Sequence, residues 1–248
     1  MACAALRAVR PRSALASLLP AALLPASLLL LFVAPAQADN PGWRHLYSKE
    51  GVRVEALDVP GRGLPQLRGV GVIPANLYEI LAVIDDVPAH RAWVPRLSRS
   101  VVLRRPSPFL LWMYVRFDFP WPASDRDSVM RVTVERTLRP DSHEVVLRTE
   151  RATDPGRPPV DGIVRVPRSL AEARLRYLGP NSTAISYMVD IDPGGSLPHW
   201  LVRLLQEDLP LEILRGLKKR IVATRGRYEA FLITWDPARA ASPAPGSL

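Results

Sequence analysis

Apolar and polar residues alternate with a period of two through the middle of the chain and recur with a period near four toward its end. Leu111, Met113, Val115, Phe117 and Phe119 occupy one phase, and Trp112, Tyr114, Arg116 and Asp118 the other. Met130, Val132 and Val134 likewise oppose Arg131, Thr133 and Glu135. Val145, Leu147 and Thr149 oppose Val146, Arg148 and Glu150, while Ala173, Leu175 and Tyr177 oppose Glu172, Arg174 and Arg176. A period of two sends successive side chains to opposite faces, so these segments predict a sheet with one apolar and one solvated face. Strands are predicted over 51–59, 66–73, 99–105, 109–119, 127–137, 143–153, 162–166, 171–178 and 183–191. The turns between them, such as Pro106-Ser107-Pro108, Arg139-Pro140-Asp141 and Gly179-Pro180-Asn181, are short, which favours an antiparallel meander over crossovers. Two helical pieces interrupt the pattern. One opens at Pro74, with Leu77, Leu81 and Ile84 on one side, and a short one carries His90 to Trp93.

After Pro193-Gly194-Gly195 the period changes. Leu201, Leu205, Leu209, Ile213, Leu217 and Ile221 form the stripe of a long amphipathic helix running from Leu197 to Ile221. Ser196 is its expected N-cap and Pro198 falls in its first turn. Pro210 interrupts this stretch and predicts a kink, because proline cannot donate to the carbonyl four residues back. Such a kink would let one half of the helix move while Leu197 to Leu205 stays packed. The helix needs an apolar surface to cover, and the sheet supplies one. Two arrangements fit the pattern: a close-packed core, or a sheet curved enough to leave a hydrophobic cavity beneath the helix.

Composition changes the picture mainly at the N-terminus. Arg7, Arg10 and Arg12 precede an almost wholly apolar run from Ala14 to Ala34, and Ala36-Gln37-Ala38 is a small-x-small cleavage site. Residues 1–38 are therefore expected to be a signal peptide directing the protein to the periplasm or outside the cell, the alternative being an uncleaved N-terminal anchor. Residues 39–236 are expected to form one domain, and 237–248 a disordered tail with little to bury. The only cysteine, Cys3, lies within the signal segment, so the mature chain has no disulfide. Without Arg7, Arg10 and Arg12 the net charge of +9 becomes +6, compatible with transient contact with an anionic membrane surface. Export argues against nucleic acid as a partner, and a monomer is expected.

Candidate chemistry is sparse. The four histidines, His45, His90, His143 and His199, show no metal-ligand spacing, and Pro88 separates Asp86 from His90. The sequence has no H-E-x-x-H, G-x-S-x-G or G-x-x-x-x-G-K-[ST] motif. The GVGV at Gly69 to Val72 lacks the third glycine of a dinucleotide fingerprint and reads as a strand with small residues. Asp125 and Asp127 flank Arg126 at a strand entrance, where an ion-pair or turn role is expected. No catalytic residue, metal or cofactor is assigned.

Four stretches occur in an order that resembles the START family of lipid-binding domains. Phe119 to Asp127 (FPWPASDRD) is similar to its PWP-x-x-x-RD signature, and Pro158 to Arg165 (PPVDGIVR) to its loop and following G-x-V-R strand. Asp192 to Leu205 (DPGGSLPHWLVRLL) resembles its strand-to-helix junction, and Trp93 in HRAWVP its early tryptophan. The resemblance implies an α+β helix-grip fold, in which a curved antiparallel sheet wraps a long C-terminal helix around a lipid-sized cavity. It further implies a gate formed by the loop from Ala152 to Asp161 and the C-terminal helix, with Arg157 placed to meet lipid headgroups. The expected cavity wall comprises Met113, Val115, Phe117, Met130, Val132, Val134, Leu147, Leu175, Tyr177, Leu201, Leu205 and Ile213. Several family members carry a charged residue in the cavity. Here that position aligns with Val132, which implies a more purely apolar wall. The function so implied is non-catalytic binding and transfer of a lipid or other hydrophobic ligand outside the cytoplasm. A cyclase-like enzyme on the same fold is the alternative, because fold alone does not fix function. A third reading is an envelope-assembly factor with a vestigial cavity.

Overall fold

A computed structural model of the chain describes residues 42–139, 142–197 and 208–235. All of them belong to one compact unit, Asp39–Leu248. The alternating segments form a single ten-stranded sheet. Its strands are β1 (Arg44–Lys49), β2 (Val52–Leu57), β3 (Gln66–Ile73), β4 (Leu97–Ser107), β5 (Leu110–Phe117), β6 (Arg126–Arg139), β7 (Ser142–Ala152), β8 (Val164–Arg165), β9 (Arg168–Gly179) and β10 (Ser182–Asp192). The order is β1-β2-β3-β10-β9-β7-β6-β5-β4, antiparallel throughout, with β8 added parallel to β6. Period two thus located the principal strands to within a few residues. It missed β1, whose side chains are mostly exposed and carry no apolar alternation.

The solvated face of the sheet is laced by cross-strand ion pairs. Arg131 meets Glu150, Arg148 meets Glu172 at 3.0 Å, and Arg174 meets Glu144 at 2.6 Å. Exposed pairs of this kind contribute little each. Their consequence is register, since a one-residue slip would turn these charges onto the apolar face.

Helix α1 (Leu77–Asp85) starts three residues after Pro74, because the Asn76 side chain caps it by accepting from the Tyr78 N–H at 2.8 Å. A 3-10 helix (Val87–Ala92) follows. Helix α2 (Leu209–Ala223) lies across the sheet and buries Pro210, Leu211, Ile213, Leu214, Leu217 and Ile221. Pro210 therefore does not kink a helix, as expected from sequence; it sits in the first turn of one, where no helical hydrogen bond is lost. The expected first half of that helix, with Leu201 and Leu205, lies outside the described residues. A short helix unforeseen from sequence, α3 (Glu229–Trp235), completes the fold.

Two glycines bring α2 close to its neighbours. A methyl group at Gly69 on β3 would come within 3.0 Å of the Pro210 side chain and 3.2 Å of Leu214. One at Gly216 would overlap the Trp93 carbonyl oxygen, so a residue unfavourable in a helix interior is required at that contact.

Three of the four sequence stretches singled out above converge at one end of the sheet. Asp127 is fully buried; it accepts from Arg165 at 2.6 and 3.1 Å and from the Tyr114 hydroxyl at 3.0 Å. The Arg165 guanidinium also donates to the carbonyls of Arg157 (3.1 Å) and Pro158 (3.2 Å), tying the loop 153–163 to the sheet. Backbone bonds from Val164 to Asp125 and from Val166 to Asp127, both 2.9 Å, complete the seam. Removing one partner of a buried ion pair leaves the other charged and unpaired, so Asp127→Ala is expected to lower unfolding stability by about 3–5 kcal/mol. Urea denaturation of the purified variant measures this.

Candidate functional site: an apolar cavity between two cores

The buried side chains form two separate main clusters. The larger joins β2, β3, β7, β9 and β10 to the helices through residues such as Val54, Leu77, Ile80, Leu175, Leu214 and Leu217. The smaller joins Val87 and Leu97 to Leu111, Met113, Val115 and Val132. Between them lies a cavity of about 260 Å³. It is close to the lower bound of ordinary small-molecule sites, about 300 Å³. Small side chains keep it open. Thr149 on β7 and Ser169, Ala171 and Ala173 on β9 point into the same space, where longer residues would have closed the gap.

Eight of the twelve residues expected on the wall are there: Met113, Val115, Phe117, Met130, Val132, Val134, Leu147 and Ile213. Leu201 and Leu205 lie outside the described residues. Leu175 and Tyr177 do not reach the cavity. They share the inward phase with Ala171 and Ala173 but belong to the close-packed end under α1, where Leu175 is wholly buried. Tyr177 is half-buried against that cluster, its ring 5.7 Å from that of His143. The phase was right for both; the position along the strand decided their fate.

Sequence reasoning missed several wall residues. Phe231 and Trp235 on α3 stack with ring centres 5.2 Å apart, and Trp235 meets Phe109 of the β4–β5 turn at 5.3 Å. Their spacing of four was the available signal. Val132 lines the wall as expected, but polar side chains that sequence reasoning did not place there, Arg126, His90, Tyr187 and Glu212, also contribute to it. Arg126 shares the inward phase of β6 with Met130, Val132 and Val134, so parity alone placed it on the wall.

Polar groups are a minority of the wall. The His90 ring donates from Nε2 to the Ile84 carbonyl at 2.7 Å and packs edge-on against Trp93. Burial lowers its pKa below the ordinary 6.5, outweighing the opposing influence of the Ile84 carbonyl and of Asp86 and Asp85. Tyr187 is held well above the ordinary tyrosine range by burial, so its hydroxyl stays protonated. Among the described residues, no two titratable side chains of the wall are hydrogen-bonded to each other.

At the end of the sheet where β6 and β8 begin, two loops project side by side, since Arg126 and Val164 are register partners. Trp121, between two exposed prolines, is 91% exposed, and Val160 on the neighbouring loop is 52% exposed. Arg157, which the resemblance places to meet headgroups, lies half-buried with its guanidinium 5.3 Å over the Tyr114 ring.

Comparisons with known proteins agree with this geometry. The START domain family model matches residues 25–224. An uncharacterized protein of Pseudomonas aeruginosa is 32% identical over 188 residues, 76% of this chain and 91% of that protein. Mouse START domain-containing protein 10 is 25% identical over 187 residues, 73% of this chain but 62% of that protein. Among solved structures, a STAR-related lipid transfer protein fragment from Xanthomonas axonopodis superposes with a TM-score of 0.65 at 27% identity, covering 73% of this chain and 99% of the fragment. Human STARD10, at 21% identity, shares the fold with a TM-score of 0.68 and 82% coverage of both chains.

Because the His90 pKa is depressed, the unfolded chain binds a proton that the native state refuses just below pH 6.5. Stability should therefore fall as pH drops through 6.5 toward the lower native value, by at most about 1.4 kcal/mol per pH unit. His90→Gln, which does not titrate, should flatten this segment of a stability profile measured by urea unfolding.

Proposed function

From membership of the START-domain family, to which this chain belongs, we infer that the cavity holds a lipid or other hydrophobic ligand and that the protein carries it between membranes without chemically altering it. The observation that carries this reading is the apolar space between two cores, kept open by Thr149, Ser169, Ala171 and Ala173. A close-packed domain of this size gains from filling such a gap, since buried apolar surface contributes about 25 cal/mol per Å². A retained void is the mark of a site whose packing partner comes from outside. Met113, Val115, Phe117, Met130, Val132, Val134, Leu147 and Ile213 are the contacts for the apolar part of the ligand. Two points support binding without catalysis. His90 is committed to the Ile84 carbonyl, and among the described residues no two titratable side chains of the wall are hydrogen-bonded as an acid–base pair.

The paired loops supply the membrane contact in this reading. Trp121 has an apolar body and an indole N–H, suited to the interface between headgroups and chains, and Val160 lies on the adjoining loop. An excess of basic residues favours an anionic surface. The basic, apolar and Ala36-Gln37-Ala38 segments of the N-terminus support a location outside the cytoplasm.

Uptake of a fluorescent acyl lipid from vesicles tests the binding. Ala171→Phe fills the cavity from β9 and should reduce uptake by about tenfold or more while leaving the unfolding midpoint close to that of the parent. Uptake equal to that of the parent would sink the assignment. For the loops, Trp121→Ala should weaken co-sedimentation with phosphatidylglycerol vesicles several-fold, and undiminished sedimentation would remove the tip from the membrane contact.

A further inference from the structure

Arg126 is a buried cation that, among the described residues, has no carboxylate at ion-pair distance. It is 2% exposed and lies on the cavity wall near Phe119, Ser169 and Pro193. Its guanidinium donates to the Ser124 carbonyl and, at 3.1 Å, to the Gly194 carbonyl, and it sits 4.9 Å over the Phe119 ring. Its Nε is buried with no acceptor. Both neighbouring carboxylates are committed elsewhere: Asp125 to Arg116 and the Phe119 N–H, Asp127 to Arg165 and Tyr114. Among the described residues no carboxylate lies within ion-pair distance of Arg126.

This arrangement is costly unless something completes it. A guanidinium does not shed its proton in a protein, so it cannot escape burial by neutralising itself. Carbonyl oxygens satisfy some of its donors but leave its net charge in a poorly solvated place. Elsewhere the chain answers buried charge with a partner, as Arg165 answers Asp127 and Arg68 answers Glu55. At Arg126 no such partner stands at ion-pair distance among the described residues, and the side chain lines the cavity. Desolvation draws its pKa below the ordinary arginine value, outweighing the opposing attraction of Asp125.

We propose that Arg126 anchors an anionic head group, a carboxylate or a phosphate monoester, on a single-chain amphiphile whose tail runs along Met130, Val132 and Val134. The inference rests on the cavity being a ligand site. Strand geometry sets the layout: Arg126 leads the inward row of β6, so a bound molecule has its charged end beside the loops 118–125 and 153–163 and its tail toward the turn of Phe109. A cavity of about 260 Å³ suits one chain rather than two.

Calorimetric titration of the purified protein with dodecanoate, dodecyl phosphate and dodecanol tests the proposal, because the three share a tail and differ in head charge. Either anion should bind at least about tenfold more tightly than the alcohol. Arg126→Met should abolish that preference, and Arg126→Lys should keep part of it. Equal affinity of all three for the parent, or an anion preference surviving in Arg126→Met, would overturn the anchor while leaving the cavity as an apolar site. Absence of binding by any of the three would overturn both. Since Arg126 also holds the Ser124 and Gly194 carbonyls, Arg126→Met is first checked by thermal unfolding. If it does not fold, the parent's anion-to-alcohol ratio decides alone.

Discussion

The end of the sheet that carries the loops is organised by one buried charge pair, Asp127 with Arg165. A carboxylate with no solvent access needs hydrogen-bond donors on both oxygens, and Arg165 and Tyr114 supply them from β8 and β5. That requirement fixes the two-residue strand β8 against β6, although β8 is too short to hold its place through backbone bonds alone. It also holds the loop preceding β8 through the Arg157 and Pro158 carbonyls. The next residue back, Arg126, reaches to Gly194 and so draws the exit of β10 into the same cluster. The PWPASDRD, GIVR and DPGG stretches are distant in sequence and are brought together by this one set of charges.

The cavity has a different origin. Sheet and helix do not fail to pack; they pack well in two places. Around α2 the approach is close: Gly216 has no room for a methyl group against the Trp93 carbonyl, and one at Gly69 would press on Pro210 and Leu214. On the β4–β5–β6 side, the second cluster closes on Val87 and Leu97 instead of on α2. A twisted sheet this wide cannot lie against a fifteen-residue helix along its whole breadth. With small side chains at Ala171 and Ala173, the space between the two contacts remains open. Three of its polar residues have distinct states: burial lowers the His90 pKa, Tyr187 is kept protonated, and Arg126 is a buried charge on the wall.

What could be read in advance follows the range of the interactions involved. Alternation is a property of neighbouring residues, so the strands and the inward identity of Met113, Met130, Val132 and Leu147 were legible from the chain alone. The same rule put Arg126 on the inward row, and only an alignment that looked to Val132 for the cavity charge hid it. Leu175 and Tyr177 could not be separated from Ala173 by parity. Whether a residue on that row meets void or core depends on which helix crosses above it. The start of α2 was misplaced for a related reason. A leucine every fourth residue continues smoothly through Pro210, and periodicity does not register that a new helix can begin there.

By itself, then, the sequence determined the strands, their apolar face and the α+β character of the domain, because period and turn residues act within a few positions of each other. Tertiary structure alone decided that two cores form instead of one. It also decided that the gap between them is walled by residues from six strands and three α-helices, and that Asp127 has a counter-ion where, among the described residues, Arg126 has no carboxylate at ion-pair distance. Volume and charge balance are sums over residues far apart in the chain, and no local pattern of side chains contains them.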